Sequence, residues 1–310
     1  MILTITMNPS VDISYQLDNL SINHVNRTNK LNKTAGGKGL NVTRVLNQLN
    51  EQVVASGLKG GKLGEFLEQS LNDPNIANHF FEIQGNTRNC IAILHEGNQT
   101  EILEGGPTIS TEEIESFNEH FEELVSKSDI AVISGSLPKG VEPNFYSSLI
   151  KACDKHSVPS ILDCSNKALT EVLRGQYKPL LIKPNIDEIA ELLGEQINEN
   201  IDSLKQAVSN PIFKNIEWVV VSLGSNGVFA KHKDKYYKVD IPKIQVVNPV
   251  GSGDSMIAGF ASALINKATN EEILKKANTL GMLNAQETVT GYINLKNYDD
   301  LYNKIKIIEV

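Results

Sequence analysis

The feature that most constrains the fold is a repeated alternation of short apolar runs with longer amphipathic stretches. The apolar runs predict strands at residues 2–6, 53–58, 130–134, 160–163, 180–183 and 218–223. The amphipathic stretches predict helices at residues 39–49, 63–71, 111–124, 145–155, from about 186, 254–266 and 270–287. The last two are expected to be the final helices of the chain. Such βα repeats indicate a mostly parallel α/β sheet with helices on both faces, whose ligands bind at the carboxyl ends of the strands.

Two polar stretches interrupt this alternation. Residues 11–17 with 25–33, and residues 89–94 with 100–103, alternate with period two and lack helical periodicity. They predict antiparallel ribbons outside the main sheet. A mobile lid and static edge hairpins both fit this pattern. We favour a lid of approximately residues 11–33 and 88–103 on a single domain of residues 1–310, because long extra segments near a ligand edge often close over it.

Composition excludes several classes of protein. The 310 residues carry 29 basic and 37 acidic side chains, a net charge of −8 that disfavours nucleic-acid binding. The three cysteines and six histidines lack the spacing of a disulfide framework or a zinc site. We expect a cytoplasmic protein that does not bind membranes, since there is no secretory leader and no apolar run of the ~18 residues that a membrane span needs.

The segment from Asn248 to Phe260 carries the strongest chemical signal. A Gly-Ser-Gly loop leads straight into an apolar-periodic helix with Asp254 in its first turn. Helix-start N–H groups bind anions, and in phosphoryl transfer a carboxylate beside them can take the proton of the attacking hydroxyl. A plain capping acid, favoured by the helix dipole, explains Asp254 equally well.

A second glycine motif, from Ala35 to Thr43, also opens a helix. Its glycines permit close approach of a ligand, and Lys38 and Asn41 can donate hydrogen bonds to sugar hydroxyls or phosphate. It is not a Walker A loop, because Lys38 is followed by Gly. A flexible turn is the alternative.

Two further segments follow predicted strands. In Lys183–Glu188, Asn185 and Glu188 share one side of a helix start and could hold Mg²⁺-bound water and nucleotide phosphates. A helix-start acid pattern without metal fits as well. The Gly-rich turn at 222–227 suits nucleotide contact, although a hairpin turn has the same composition.

Together these motifs resemble the PfkB, or ribokinase-like, family of sugar kinases over essentially the whole chain. The resemblance implies a doubly wound sheet with a small β-sheet lid, a homodimer formed through that lid, and use of ATP and Mg²⁺. It implies these site residues: a base at Asp254; an anion hole at Gly251, Ser252 and Gly253; sugar contacts from Asp12, Gly37, Lys38 and Asn41; nucleotide contacts from Lys183, Asn185, Ser222, Gly224, Gly227 and Asn278; and Glu188 reaching the metal through water.

Within the family, the motifs at 6–12, 87–91 and 133–138 look like the phosphosugar branch. Arg88 and Ser136 in these motifs, with Arg27, are predicted substrate contacts, and Lys38 with Arg88 is expected to clamp the substrate. The only arginines are at 27, 44, 88 and 174, and Arg is the better bidentate partner of phosphate, so a grouping near the sugar pocket supports a phosphorylated acceptor. Surface ion pairs remain the alternative for Arg27 and Arg44.

The motifs at 61–66 and 248–255 are similar to those of tagatose-6-phosphate kinases, including Ser252 where most members have Ala. We therefore expect phosphorylation of tagatose 6-phosphate, a phosphorylated ketohexose, at C1 within lactose and galactose catabolism. Phosphorylation of fructose 1-phosphate at C6 is the nearest alternative. A non-catalytic sugar-phosphate sensor is a distant one, and a Rossmann dehydrogenase is disfavoured because no GxGxxG follows the first strand.

Overall fold

The computed structural model describes residues 1–74 and 76–310. The chain forms two β-sheets, and helices cover the larger one. The strands are β1 Ile2–Thr6, β2 Ser10–Gln16, β3 Leu31–Gly36, β4 Val53–Lys59, β5 Ile76–Asn78, β6 Phe81–Glu82, β7 Arg88–His95, β8 Asn98–Leu103, β9 Ile130–Ser134, β10 Ser160–Asp163, β11 Leu181–Ile182, β12 Trp218–Ser222, β13 Val228–His232, β14 Lys235–Asp240 and β15 Lys306–Glu309. The helices are α1 Lys38–Gln48, α2 Gly61–Ser70, α3 Thr111–Val125, α4 Phe145–Lys155, α5 Asn166–Arg174, α6 Ile186–Leu193, α7 Ile201–Val208, α8 Ser252–Ile265, α9 Asn270–Ala285 and α10 Tyr298–Lys304.

The larger sheet has the strand order β15-β14-β13-β12-β11-β10-β9-β1-β4-β5, and β6 also pairs with β4. Strands from β5 to β12 along this order run parallel, which confirms the predicted mostly parallel α/β sheet. Strands β13, β14 and β15 extend it as an antiparallel edge that was not predicted. The expectation that two helices complete the C-terminal part was wrong, because α10 and β15 follow them.

Helices cover both faces of this sheet, so its central strands are buried throughout. Along β1, Leu3 packs in the same apolar cluster as Phe117 of α3, whereas Ile2 packs with Val42 of α1 on the opposite face. Successive side chains of a strand point to opposite faces, so both faces need apolar residues and the strand becomes a continuous apolar run. No helix in the described ranges is long and apolar enough to cross a membrane.

The smaller sheet has the order β3-β2-β7-β8. Its β2–β3 and β7–β8 pairs are antiparallel, as predicted, and a parallel β2–β7 pairing joins them into one sheet. The predicted strand at 25–33 was wrong over residues 25–30, because β3 begins only at Leu31 and residues 17–30 form a loop. One face of the sheet packs Val11 and Ile13 against Leu67 of α2, and the other face turns toward the ligand edge of the larger sheet.

Candidate active site

A cavity of about 590 Å³ lies where the small sheet faces the starts of α1 and α8 and the carboxyl ends of the central strands. Parallel strands end at the same edge, which gathers polar residues that are distant in sequence. Ten predicted site residues line this cavity: Asp12, Gly37, Lys38, Asn41, Arg88, Ser136, Lys183, Gly251, Gly253 and Asp254.

The start of α8 forms one wall of the cavity. Gly251 has φ 83°, and a Cβ there would lie 2.5 Å from Cγ2 of Thr290, so both the backbone conformation and the space require glycine. The N–H of Ser252 donates to the carbonyl of Pro249 at 3.2 Å, and Ser252 does not line the cavity. Gly253 does line it, and a Cβ at Gly253 would lie 3.1 Å from Nζ of Lys183. A lysine ammonium thus lies beside the glycine loop.

Asp254 lies in the first turn of α8 and is 6% exposed. Its Oδ2 accepts a 2.6 Å hydrogen bond from Nδ2 of Asn41. Burial, together with the negative charge of Asp163, raises the pKa of Asp254 to about 6, although Lys38, Asn41 and Lys183 oppose the rise. A carboxylate with this pKa is ionised at neutral pH and is still basic enough to accept a proton.

Asp163 ends strand β10 at the floor of the cavity, and the sequence analysis missed it. Its Oδ2 accepts from Nζ of Lys38 at 3.3 Å, and its Oδ1 lies 3.7 Å from Nζ of Lys183. Burial alone would raise the pKa of Asp163, but the two lysines hold it below the usual value, and Asp163 in turn raises the pKa of Lys38. The sequence did carry a signal for Asp163, because an acidic residue at the end of a buried strand lies at the edge of the sheet where ligands bind.

Asp12 projects from β2 into the cavity. Its Oδ1 accepts a 2.6 Å hydrogen bond from the hydroxyl of Ser10, and burial raises its pKa. A Cβ on Gly36 would lie 2.0 Å from Oδ1 of Asp12, so the glycine is what allows the carboxylate to lie against the backbone there. Carboxylate oxygens in this position can accept hydrogen bonds from sugar hydroxyls.

Arg88 begins strand β7 of the small sheet and is half-buried. Its Nη1 donates to the carbonyl of Glu104 at 2.9 Å, and its Nη2 donates to the carbonyl of Asn8 at 3.2 Å. The Asn8 amide donates to Oγ of Ser136 at 3.4 Å, so Arg88 and Ser136 are joined through one residue that the sequence analysis did not single out. A guanidinium has five N–H donors, which leaves donors on Arg88 for an anion.

Two other arginines differ from the sequence-based hypothesis. Arg27 is exposed in the loop of residues 17–30 and does not line the cavity of its own chain. Arg44, on α1, donates to the main-chain carbonyls of Ala35 and Thr290, the latter at 3.2 Å. Arg44 therefore holds main-chain carbonyls in place. Among the described residues it is neither part of an exposed ion pair nor an open phosphate site.

The predicted nucleotide residues lie beside this cavity, at the ends of β11 and β12. Asn185 and Ser222 form an isolated parallel bridge, which brings the two segments together. Oδ1 of Asn185 accepts from the N–H of Glu188, and Oε2 of Glu188 accepts from the N–H of Asn185, each at 2.8 Å. This capping box explains the Asn-x-x-Glu spacing without a metal. Oε1 of Glu188 has no hydrogen-bond partner among the described residues, so it is able to accept from a metal-bound water.

The turn after β12 needs its glycines. Gly224 and Gly227 have φ 56° and 80°, and a Cβ on Gly227 would lie 2.1 Å from the carbonyl oxygen of Val239. Asn278 differs from these residues, because it is 4% exposed within α9 and its amide donates to the carbonyl of Leu274 at 2.8 Å. The structure thus places Asn278 inside the helix layer and not on the cavity wall.

Comparison with known proteins gives the family. Residues 5–297 match the model of the pfkB family carbohydrate kinases. Phosphofructokinase-2 from Escherichia coli in complex with potassium is 28% identical over 97% of this chain and 98% of that one, with a TM-score of 0.89. The same enzyme in complex with fructose-6-phosphate is 26% identical over the same shares, with a TM-score of 0.85. A candidate 1-phosphofructokinase from Thermotoga maritima shares the fold, at 24% identity over 100% of this chain and 99% of that one and a TM-score of 0.90. The chain belongs to the pfkB family of carbohydrate kinases.

Proposed function

We propose that the protein transfers the γ-phosphoryl group of ATP to the C1 hydroxyl of tagatose 6-phosphate, which yields tagatose 1,6-bisphosphate. The observation that carries the proposal is that one cavity is lined both by a carboxylate at a helix start and by an arginine from the small sheet. The first suits deprotonation of a hydroxyl, and the second suits a phosphate already present on the sugar. The choice of tagatose rests on the motifs at 61–66 and 248–255.

Asp254 would accept the proton of the attacking hydroxyl. Its Oδ2 already accepts from Asn41 and its Oδ1 has no hydrogen-bond partner among the described residues, so Oδ1 is the oxygen proposed to take the proton. The N–H groups that open α8, at Gly253 and Asp254, stabilise the negative charge that develops on the transferring phosphoryl oxygens. The bond to the ADP leaving group breaks as the bond to the sugar oxygen forms.

Lys38 and Lys183 would supply the local positive field. Both ammonium groups lie against Asp163. The net charge of −8 is spread over the whole chain, whereas Lys38, Lys183 and Arg88 line the cavity and offset the charge of its carboxylates. An acidic protein can therefore bind a phosphorylated substrate at this place.

Asp12, Gly37, Lys38 and Asn41 would hold the sugar, and Arg88 with Ser136 its phosphate. The small sheet would then act as a lid of the single domain, because β2 and β7 carry Asp12 and Arg88 into the cavity. A divalent metal, proposed to be Mg²⁺, supplies charge neutralisation of the ATP phosphates when bound. Glu188 fits a contact to it through water, since Mg²⁺ usually keeps several waters.

A second copy of the chain is the proposed partner of the small sheet. The sheet and its loop expose large apolar side chains, namely Ile22, Val25, Leu31, Leu94, Ile102 and Leu103. Exposed apolar patches of this kind often mark contact surfaces. Light scattering of the purified protein should give twice the mass of the chain. A monomeric mass at micromolar concentration contradicts this assembly.

Fructose 1-phosphate is the second candidate acceptor, and fructose 6-phosphate is a third, since it is bound in a similar solved structure. Coupled ADP-release assays with tagatose 6-phosphate, fructose 6-phosphate, fructose 1-phosphate and ribose separate the candidates. We expect the highest kcat/KM with tagatose 6-phosphate. A higher value with fructose 1-phosphate makes the protein a 1-phosphofructokinase, and a higher value with ribose overturns the phosphosugar assignment.

A further inference from the structure

We propose that Arg44 is a positioning residue, which fixes the amide of Asn41 and through it the carboxylate of Asp254. The significance of this arrangement for catalysis rests on the proposed role of Asp254 as the base. The three residues form a continuous chain of hydrogen bonds from the first turns of α1 to the first turn of α8.

The guanidinium group of Arg44 donates hydrogen bonds to three acceptors. Its Nη2 donates to Oδ1 of Asn41, one turn earlier in α1, and also to the carbonyl of Thr290 at 3.2 Å. Its Nη1 donates to the carbonyl of Ala35. A guanidinium has fixed, coplanar donors, so three partners held in this way determine its orientation.

The chemistry of Arg44 decides which way the Asn41 amide points. A guanidinium only donates hydrogen bonds, so the atom of Asn41 that faces it must be the carbonyl oxygen. The NH₂ group must then face Asp254, where it donates to Oδ2 at 2.6 Å. Without Arg44 only the ionised carboxylate would hold the amide in this orientation, and on protonation of Asp254 the amide could rotate by about half a turn and accept from the carboxyl O–H, since the two ends of the amide have nearly the same shape.

Fixing the amide has two consequences for Asp254. Its Oδ2 holds the Asn41 amide and its Oδ1 has no hydrogen-bond partner among the described residues, so Oδ1 is the oxygen that we assign to a substrate hydroxyl. The donated hydrogen bond also stabilises the ionised carboxylate, against burial and the charge of Asp163. Asn41 was predicted as a sugar contact, and its second N–H hydrogen remains able to serve in that way.

The charged groups around Asp254 must be considered in any test. Asp163 faces it from β10, Lys38 from the start of α1 and Lys183 from the segment after β11. Arg44 has no ion-pair partner within 4.0 Å among the described residues, and its charge interacts at longer range with Asp12 and Asp254. A variant that removes the charge of Arg44 therefore changes two things at once, and measuring it with and without Asn41 separates them, because the lost charge acts on Asp254 in both backgrounds.

Arg44 also supports the loop beside the catalytic glycines. A Cβ on Gly291 would lie 3.1 Å from Nε of Arg44, and the N–H of Gly291 donates to Asn284, whose amide donates to the carbonyl of Val250. Loss of activity in an Arg44 variant would not by itself distinguish positioning from support of this loop. The test therefore reads the ionisation of Asp254 directly.

The experiment is a titration of the full-length protein labelled with ¹³C at the aspartate carboxyl carbons, with Asp254 assigned from the spectrum of Asp254→Asn. Arg44→Met should raise the pKa of Asp254 by about one unit, because the amide is then able to turn and accept from the protonated carboxyl group, and Asn41→Leu should raise it by a similar amount, because it removes the donated hydrogen bond. In the Asn41→Leu background, Arg44→Met should cause a smaller change, due to the lost charge alone. Arg174→Met, on the exposed end of α5, is the matched control and should leave the titration unchanged.

Two results overturn the proposal: an unchanged pKa in Arg44→Met, or a shift of equal size in the presence and absence of Asn41. If Arg44→Met does not fold, Arg44→Gln with and without Asn41→Leu gives the same comparison, and equal shifts in both backgrounds again overturn it. The titration needs no turnover. A wild-type protein without kinase activity on any sugar phosphate would contradict the proposed function. If the wild type is active and the pKa of Asp254 is unchanged in the Arg44 variant, only the role of Arg44 is contradicted.

Discussion

Oδ2 of Asp163 accepts a hydrogen bond from Nζ of Lys38 at 3.3 Å, across 125 residues of sequence. The pair ties the carboxyl end of β10 to the start of α1, and the other oxygen of Asp163 faces Lys183. Asp163 is 4% exposed, so its charge is weakly screened and also acts on Asp254. A single buried carboxylate thus holds both lysines of the cavity and influences the proposed base.

The wild-type enzyme should lose kcat/KM as the pH falls. Burial and Asp163 raise the pKa of Asp254 to about 6, and only the ionised carboxylate accepts a proton. Below that pH, kcat/KM should decrease about tenfold per pH unit, and above it the rate should level off. A pH–rate profile at saturating ATP measures this. A limb near pH 4, the ordinary range of an aspartate, contradicts the assignment.

Asp163→Asn should move this acidic limb to lower pH. The substitution keeps the shape of the side chain and removes a negative charge that raises the pKa of Asp254. Asp154→Asn, at an exposed position of α4, is the control and should leave the profile unchanged. A limb that stays in place or moves to higher pH contradicts the electrostatic role of Asp163.

Asp254→Asn should lower kcat by about 10²–10⁴-fold, the usual contribution of a general base. The amide is isosteric with the carboxylate, so the folded structure should persist, which circular dichroism and thermal melting can verify. Asp234→Asn, at an exposed turn between β13 and β14, is a control for loss of one negative charge. Near-wild-type turnover by a folded Asp254→Asn protein would show that another group takes the proton.

Arg88→Ala should weaken use of the phosphorylated sugar selectively. Hydrogen bonds to charged groups contribute about 1.5–3 kcal/mol, so kcat/KM for the sugar phosphate should fall by roughly 10- to 100-fold. KM for ATP should change little, since Arg88 lies on the small sheet. Arg174→Ala removes an exposed arginine and should have no effect. If the value for unphosphorylated ribose falls by the same factor, Arg88 does not bind the phosphate.

Gly251→Ala should reduce both stability and kcat. An alanine at φ 83° costs about 1–2 kcal/mol of unfolding free energy, and its Cβ would also lie 2.5 Å from Thr290. Gly97→Ala is a matched control, because Gly97 has φ 76° and nothing within 4 Å of the added Cβ. Denaturant unfolding should show a larger loss for Gly251→Ala, and only that variant should have low activity. Equal losses in both variants would mean that the crowding at Gly251 is unimportant.

The periodicity of the sequence predicted most of the helices and parallel strands, although α5, α7, β5 and β6 were not predicted. Strands β1, β9 and β10 and helix α4 have the predicted bounds, because a strand buried on both faces must be apolar throughout and a surface helix must be apolar on one side. The glycine motifs before α1 and α8 were equally readable, since positive φ and close packing leave few other residue types. The antiparallel edge formed by β13, β14 and β15 was not readable from the sequence, because short half-polar runs look like loops.

The sequence by itself therefore determined the fold class, the family and the two glycine loops, all of which depend on local patterns. Only the tertiary structure decided which polar groups meet. Asp163 between two lysines, Arg44 turned away from the cavity toward main-chain carbonyls, and Asn278 buried in its helix depend on contacts between residues far apart in the chain. Spacing along a chain carries no information about such partners, because their distance is set by how the sheet and helices pack.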